Sequence, residues 1–402
     1  MSEWPKARLG EVLLPIAERV AAQQIDLVLS VTEKRGIIPQ TEVFNKRIAT
    51  KDIAKYKVLQ PFDIAYNPYL LWTGAIGQWL GSEPGATSPV YECFRAKADT
   101  APRYLGLIFE SGLLTAYFDS RAIGSIQRRR RTTPEVFLDA VIPLPPLAVQ
   151  RRIVDLMAHL DNHLANLRAK REALDALWWT LTRVMEEEVD QAPRLLLGEV
   201  ADISGGLTKN KNTLVKGEPV VVPYLRVANV HRRFLDLADL AAIETSSDVV
   251  ERLRLLPGDV LMNEGGDKDK LARGTVWRGE VPVCIHQNHV FRVRITDERL
   301  DPEFVSAWSN SFGQGWFETF GTQTTGIASV SKSTLGKFPV PLIPRLRQSE
   351  WAEALRSVDT HMGQIASAID LLSRFRSATL DALLVGDVTI PETYNSLLVE
   401  VA

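Results

Sequence analysis

Two passages of this chain follow one plan. "VIPLPPLAVQRRIVDLMAHLDNHL" covers residues 141–164, and "FPVPLIPRLRQSEWAEALRSVDTHM" covers residues 338–362. Each has a Pro-x-Pro lead with strand character, a glutamine, a long helical pattern and an Asp-x-His triplet followed by an apolar residue. The repetition extends upstream. "LGEV" begins at Leu9 and again at Leu197, an offset of 188. "QPFDIAYN" (Gln60–Asn67) matches "LPGDVLMN" (Leu256–Asn263) at 196, and "VYECFRAK" (Val90–Lys97) matches "QNHVFRVR" (Gln287–Arg294) at 197. Pro143-Leu-Pro145 matches Pro339-Val-Pro341 at 196, while Gln150 and Asp161 match Gln348 and Asp359 at 198. One such match is noise. Six in the same order at a nearly constant offset mark two copies of one module.

Each copy ends in a heptad pattern. Ile153, Leu160, Leu167, Leu174 and Leu181 recur every seventh residue, with Met157, Leu164, Arg171, Trp178 and Met185 four places along each heptad. The second copy gives Trp351, Val358, Ile365, Leu372 and Thr379, with Leu355, Met362, Ile369, Arg376 and Leu383. An apolar a/d seam of this kind is the signature of a helix that pairs with another. Thirty-odd helical residues span about 50 Å. Gly386 is the expected cap of the second helix, and Pro391 prevents its resumption. Two matched seams in one chain predict an intramolecular pair. If each mixed block sits at the start of its own helix, the pair runs antiparallel. A parallel pair would need "EEEVDQAP" to return the full rod length, and that link reaches only about 25–30 Å.

The expected fold class is therefore α+β: two repeated mixed domains joined by two long antiparallel coiled-coil helices about an approximate two-fold axis. The boundaries read as 1–146 for the first mixed domain, 147–190 for its helix, 191–343 for the second domain, 344–386 for its helix and 387–402 for a tail. "VVVPYLRVANV" (Val220–Val230) and "NHVFRVRI" (Asn288–Ile295) are strand-like, "PGDV" and "NEGGD" are turn signals, and "DPEFVSAWSNS" (Asp301–Ser311) is helical. At 402 residues the chain is long enough for two or three domains.

Composition narrows the setting. No run of eighteen apolar residues suggests a membrane span. "MSEWPKARLGEV" lacks a charged-then-apolar leader pattern. Cys93 and Cys284, the two cysteines, make neither a disulfide framework nor a four-cysteine zinc site, so a reducing, cytoplasmic location is expected. Net charge is −2 overall but uneven. Residues 1–146 carry 18 Lys/Arg and 15 Asp/Glu, net +3, and residues 193–342 carry 18 of each. The helical segments 147–192 and 343–402 are net −2 and −3. Basic side chains thus gather in the mixed domains, and local patches matter more for nucleic acid than the sum.

Enzyme constellations are weak. Asn67-Pro68-Tyr69 is part of the signature of amino-methyltransferases but lacks its second proline, and no Gly-rich strand–helix turn accompanies it; a turn after a strand is the plainer reading. No phosphate-binding Walker loop occurs. "HQNH" (His286–His289) sends its two histidines to opposite faces of a strand, which suits a polar strand end better than a metal. Basic and hydroxyl-rich loops remain. The candidate DNA-contacting residues are Lys34, Arg35, Arg121 and the run Arg128, Arg129, Arg130 and Arg131 in the first copy. In the second they are Lys209, Lys211, Arg232, Arg233, Lys268, Lys270, Thr322, Thr324, Thr325 and Lys332. Such side chains supply phosphate and base-edge contacts.

Taken as an ordered set, these passages resemble the specificity subunits of type I restriction–modification systems. The resemblance rests on "IPLPPLAVQRRIV" (Ile142–Val154) and its echo at Phe338–Trp351, "VPYLRVANV", "LLPGDVLMN", "HQNHVFRVR" and "GTQTTGIASVSKSTLGKFPVP", and covers nearly the whole chain. Val149 and the Arg347-Gln348-Ser349 stretch depart from the usual proline-rich entry with a glutamate–glutamine pair. The resemblance implies that each mixed domain is a target-recognition domain for one half of a bipartite duplex DNA site, and that the helices set the spacing. It implies two methyltransferase subunits docked around the two-fold, with restriction subunits as optional further members. The chain itself would be non-catalytic, with S-adenosylmethionine and ATP held by partners. A stand-alone DNA methyltransferase using Asn67-Pro68-Tyr69 and a protein-binding scaffold stay open as rivals, separated by cofactor binding and by salt-dependent DNA binding.

Overall fold

A computed structural model describes residues 4–20, 25–33, 35–43, 53–124, 130–208, 219–324 and 327–394. The two long helices run over Leu147–Glu188 and Arg345–Val385. Contacts divide the chain into two compact units, Met1–Asn166 with Ile369–Ala402, and Leu167–Ala368. Each unit holds one mixed domain, called head 1 and head 2 below, and part of both helices.

Head 1 has two four-stranded sheets. One orders Leu13–Pro15, Glu92–Ala96, Ile64–Tyr66 and Ile76–Gln78; the other orders Gly36–Pro39, Val28–Thr32, Gly85–Thr87 and Lys57–Leu59. Head 2 repeats the first sheet with Ala201–Ser204, Val290–Ile295, Val260–Asn263 and Gly274–Val276. A three-stranded sheet of Ala241–Ser246, Pro219–Leu225 and Ile285–His286 stands beside it. In each head the Pro-x-Pro lead pairs antiparallel with the strand that opens the module: Val141–Pro143 with Lys6–Arg8, and Pro339–Pro341 with Arg194–Leu196.

Ladder register corrects two of the sequence matches. Ile64 faces Phe94 in head 1, and its counterpart Val260 faces Val293 in head 2. Leu13 faces Ala96, and Ala201 faces Ile295. Phe94 therefore corresponds to Val293 and Arg95 to Arg294, an offset of 199 rather than 197. Likewise Ala7 faces Ile142 and Leu195 faces Val340, so Pro143 corresponds to Pro341 rather than to Pro339. Both errors are slips of two. Side chains alternate with period two along a strand, so a slip of two keeps every residue on its face and leaves the apolar pattern unchanged.

The duplicated residues turn out to be joints. In each head a Pro-led turn ends in a buried aspartate, Asp63 or Asp259, each accepting a 2.7 Å bond from the backbone N–H three residues earlier. The same carboxylates receive paired bonds from Arg95 (2.8 and 2.7 Å) and Arg294 (2.7 and 2.8 Å). The turn needs φ above zero before the aspartate: Gly258 supplies it at 95°, and Phe62 occupies the same position at 70°. Gln150 and Gln348, both buried, fasten each helix start to its head. Gln150 donates to the Pro145 carbonyl (2.8 Å) and accepts from the Ala101 N–H (3.0 Å). Gln348 donates to the Ile343 and Arg299 carbonyls (2.8 Å each) and accepts from the Asp301 N–H (2.8 Å).

Within each unit the two helix segments run antiparallel. In the first, Ile153 and Met157 share a core with Leu380, Leu383 and Leu384, and Arg376 forks onto Asp161 at 2.5 and 2.8 Å. In the second, Trp178 and Met185 share a core with Trp351, Leu355 and Val358, and Arg347 forks onto Glu188 at 2.7 and 2.6 Å. The seam positions Leu160, Leu167, Leu174, Leu181, Ile365 and Leu372 are half-buried. Gly386 adopts φ 83°, and the Asp387 N–H closes the helix onto the Ala382 carbonyl at 3.0 Å, the cap its sequence position implied.

Replacing Gln150 or Gln348 by leucine removes a buried amide and the bonds it makes to the Pro145 and Ile343 carbonyls and the Ala101 and Asp301 N–H groups. Each change should cost about 2–3 kcal/mol in urea unfolding, whereas the same change at exposed Gln364 should cost under about 0.5 kcal/mol.

Candidate nucleic-acid interface

The strand holding the repeated asparagine runs in both heads into a loop that is tied to the segment just before the lead. In head 1 the Thr132 N–H donates to the Pro68 carbonyl (2.9 Å); in head 2 the Val330 N–H donates to the Glu264 carbonyl (2.8 Å). The ties lie at corresponding positions, so the loops around 67–73 and 122–131 correspond to those around 263–270 and 322–329.

Head 1 presents cations on aromatic rings. Asn67 Oδ1 accepts from the Tyr69 N–H at 3.1 Å, so Asn-Pro-Tyr is a turn after a strand. Leu71–Thr73 forms a single helical turn that brings Trp72 under Arg130, whose guanidinium lies 4.6 Å from the ring centre and pairs with Asp119 at 2.7 Å. Arg131 lies 5.9 Å from the exposed Tyr69 ring and Arg121 lies 4.0 Å from Tyr117. Ile123 and Arg131 bridge the two strands of the loop, and Ile123 is exposed. Arg35 is exposed and paired with Glu42.

Head 2 presents a different surface at the same place. Gly265–Gly266 pairs with Ile327–Ser329, which in turn pairs with Thr322–Thr324. A Cβ at Gly265 would lie 2.9 Å from the Ala328 carbonyl, so the close approach requires glycine. Lys268, Thr322 and Lys332 are exposed, and Lys270 pairs with Asp267. His289 Nδ1 lies 2.6 Å from Glu264 Oε2 on the surface. His286 is buried and bonds the Val290 carbonyl at 2.7 Å; burial lowers its pKa to about 4. The two histidines of "HQNH" thus part company as strand alternation requires. Among the described residues no group of three or more His, Cys, Asp or Glu side chains could hold a metal ion. Burial pushes the Cys93 and Cys284 thiols up to about 12, which removes them as nucleophiles.

Arg232 and Arg233, expected on the contacting surface, are turned inward. Arg232 donates to the Asn310 (2.6 Å) and Asp269 (3.0 Å) carbonyls, and its burial lowers its pKa. Arg233, at φ 74°, lies over Trp178 at 4.4 Å and pairs with Asp175 (2.6 Å) and Asp359 (3.4 Å). A run of charge in sequence does not reveal that two long-helix carboxylates wait beside it in space. Lys34, Arg128, Arg129, Lys209, Lys211 and Thr325 lie outside the described residues. Sequence reading did not single out Trp72, and it weighed Tyr69 and His289 without their partners, because each partner comes from a segment 25 or more residues away.

No protein-family model and no curated protein sequence matches this chain. Solved structures do. A chain from "Structural basis underlying complex assembly and conformational transition of the type I R-M system" aligns at TM-score 0.54 and 19% identity, over 96% of this chain and 99% of that one. The type I restriction–modification system S subunit from M. genitalium aligns at TM-score 0.55 and 11% identity, over 95% and 96%. The fold is that of a type I S subunit. It combines strand-rich heads with a long C-terminal helix, and among the described residues no helix is long and apolar enough to cross a membrane.

Burial holds the Asp359 carboxyl up at about 7 against the pull of Arg233. A carboxyl raised above its unfolded value of about 3.9 adds stability below that value and loses it as pH climbs towards 7. Asp359→Asn should therefore lessen the fall in melting temperature between about pH 4.5 and pH 7.5, measured by thermal denaturation.

Proposed function

We propose that this chain is the DNA-recognition subunit of a type I restriction–modification assembly, and is itself non-catalytic. Each head reads one half of a bipartite duplex target. The long helices act as an antiparallel coiled-coil spacer that places the heads about an approximate two-fold axis and docks two methyltransferase subunits. S-adenosylmethionine and ATP belong to the partner subunits, and the assembly works in the cytoplasm. The observation that carries this reading is one composite loop site built twice, at corresponding positions of the ladder, with different side chains in each copy. A catalyst duplicated for one reaction would keep its chemistry; a reader of two unlike half-sites keeps the frame and changes the side chains it presents.

Of the residues expected from sequence, Arg121 and Arg131 in head 1 and Lys268, Thr322 and Lys332 in head 2 are exposed on or beside these loops, and Arg130 and Lys270 are half-buried there. Cations resting on aromatic faces suit phosphate and base contacts alike. Arg130→Ala with Arg131→Ala should weaken binding to specific and unrelated duplexes together. It should also lower the slope of log K against log salt by roughly 0.9 for each phosphate no longer neutralised. Fluorescence anisotropy between low and moderate salt measures this; a slope equal to the wild type's argues for the scaffold rival.

The spacer reading makes a geometric prediction. Deleting one heptad from each long helix shortens the rod by about 10 Å, roughly 3 bp of duplex at about 3.4 Å per pair, and rotates the heads. Sequencing of bound or methylated sites should show a shorter gap between half-sites, or no binding. Full affinity at the original gap overturns the spacer.

A further inference from the structure

The two heads differ not only in charge but in hydrogen-bonding polarity. In head 1 the loop carries donors: Arg130 and Arg131 offer guanidinium N–H groups and no acceptor. In head 2 the composite site includes the loop that begins with Glu264, the counterpart of the Pro68 loop. The Glu264 backbone N–H donates to the His289 carbonyl at 2.9 Å, and its Oε2 lies 2.6 Å from His289 Nδ1. A carboxylate only accepts, so Nδ1 carries the proton, and in the neutral ring Nε2 is an acceptor. Asn288 Nδ2 lies 3.4 Å from Nε2, and a base amine bonding there takes the place of that long contact. Glu264 Oε1 is a second acceptor. The His289 side chain is 56% exposed and that of Glu264 31%, enough for a ligand to reach both. Glu264 is also held from the other side, by the Val330 N–H on its carbonyl and by the Gly265–Ser329 pairing. The pair is thus fixed on two strand ends, as a base-reading group must be.

We propose that Glu264 and His289 form an acceptor pair in head 2 that selects a nucleobase amino group, adenine N6 or cytosine N4, in the half-site this head contacts. The inference rests on the DNA-recognition reading above. Paired acceptors attract an exocyclic amine and repel the O6 and N7 acceptors of guanine, whereas the arginines of head 1 have the opposite preference. Lys268, exposed on the same loop, is placed to balance the carboxylate with a phosphate contact.

The test is selection of bound sites from a randomised duplex pool by the full chain. The wild type should yield two half-sites, one holding a base pair at which adenine or cytosine is preferred. Glu264→Gln, which swaps an acceptor for a donor, and His289→Phe, which keeps a ring without Nε2, should each reduce that preference roughly ten- to hundredfold. The other half-site should stay unchanged. His289→Gln restores an acceptor and should recover most of the preference. Purine deoxyriboside in place of deoxyadenosine, or 2-pyrimidinone deoxyriboside in place of deoxycytidine, identifies which amine is read by the one that weakens wild-type binding. Unchanged preference in both E264Q and H289F overturns the proposal. So does equal loss at both half-sites, or a failure of H289Q to recover. If the wild type selects no bipartite duplex, the DNA-recognition reading itself falls, and this inference with it.

Discussion

A buried glutamine at the root of each long helix is the joint on which the molecule depends. Gln150 and Gln348 each bond a carbonyl of the lead segment and an N–H of the head from one side chain. Both glutamine side chains are buried, so an amide swung away would lose these bonds with little water to replace them. The helix therefore leaves its head in one direction. Beyond the joint, apolar burial takes over: Ile153 and Met157 enter the head 1 core, and Trp351 and Leu355 enter that of head 2. Each helix start is continuous with a folded domain.

The repeated aspartate of the Asp-x-His triplet shows how the copies diverged around this frame. Asp161 receives Arg376 from the other long helix, whereas Asp359 receives Arg233 from a loop of its own head. The position that corresponds to Arg376 in the heptad alignment is Trp178, and the Arg233 guanidinium lies over its ring. A cation is supplied beside the aspartate in both units, but from a different element. The arginines that interrupt the heptad seam thus differ in kind: Arg376 is a paired, half-buried member of the interface, and Arg171 is exposed.

The heads keep their clamps and vary their loops. Asp63–Arg95 and Asp259–Arg294 hold the same turn against the same strand, with carboxylates that are almost wholly buried. Removing one partner of such a pair strands a charge, which keeps both partners in place across the duplication. The loops that follow bear no such constraint beyond their tie to the pre-lead segment, so one carries Tyr69 and Trp72 and the other Glu264 and two glycines. A rigid frame with free loops is the usual means of presenting different side chains from one fold.

The duplication, the long helices, the Gly386 cap of the second, and the strand-and-turn character of the heads were all legible in the amino-acid order. These are periodic or local properties: heptads, alternation, proline and glycine at turns. The Pro-x-Asp turn and the glutamine were legible in both copies too, though not what they hold. Strand register was not, because a slip of two residues leaves the apolar pattern intact and the folded ladder alone distinguishes the alternatives. The fate of each basic residue was equally hidden. Arg233 and Arg130 look alike in sequence. One is drawn inward because Asp175, Asp359 and Trp178 converge on it, and the other rests on Trp72 at the surface. Asp175, Asp359, Trp178 and Trp72 lie 55 to 126 residues from the arginines they meet, and no local pattern encodes that distance.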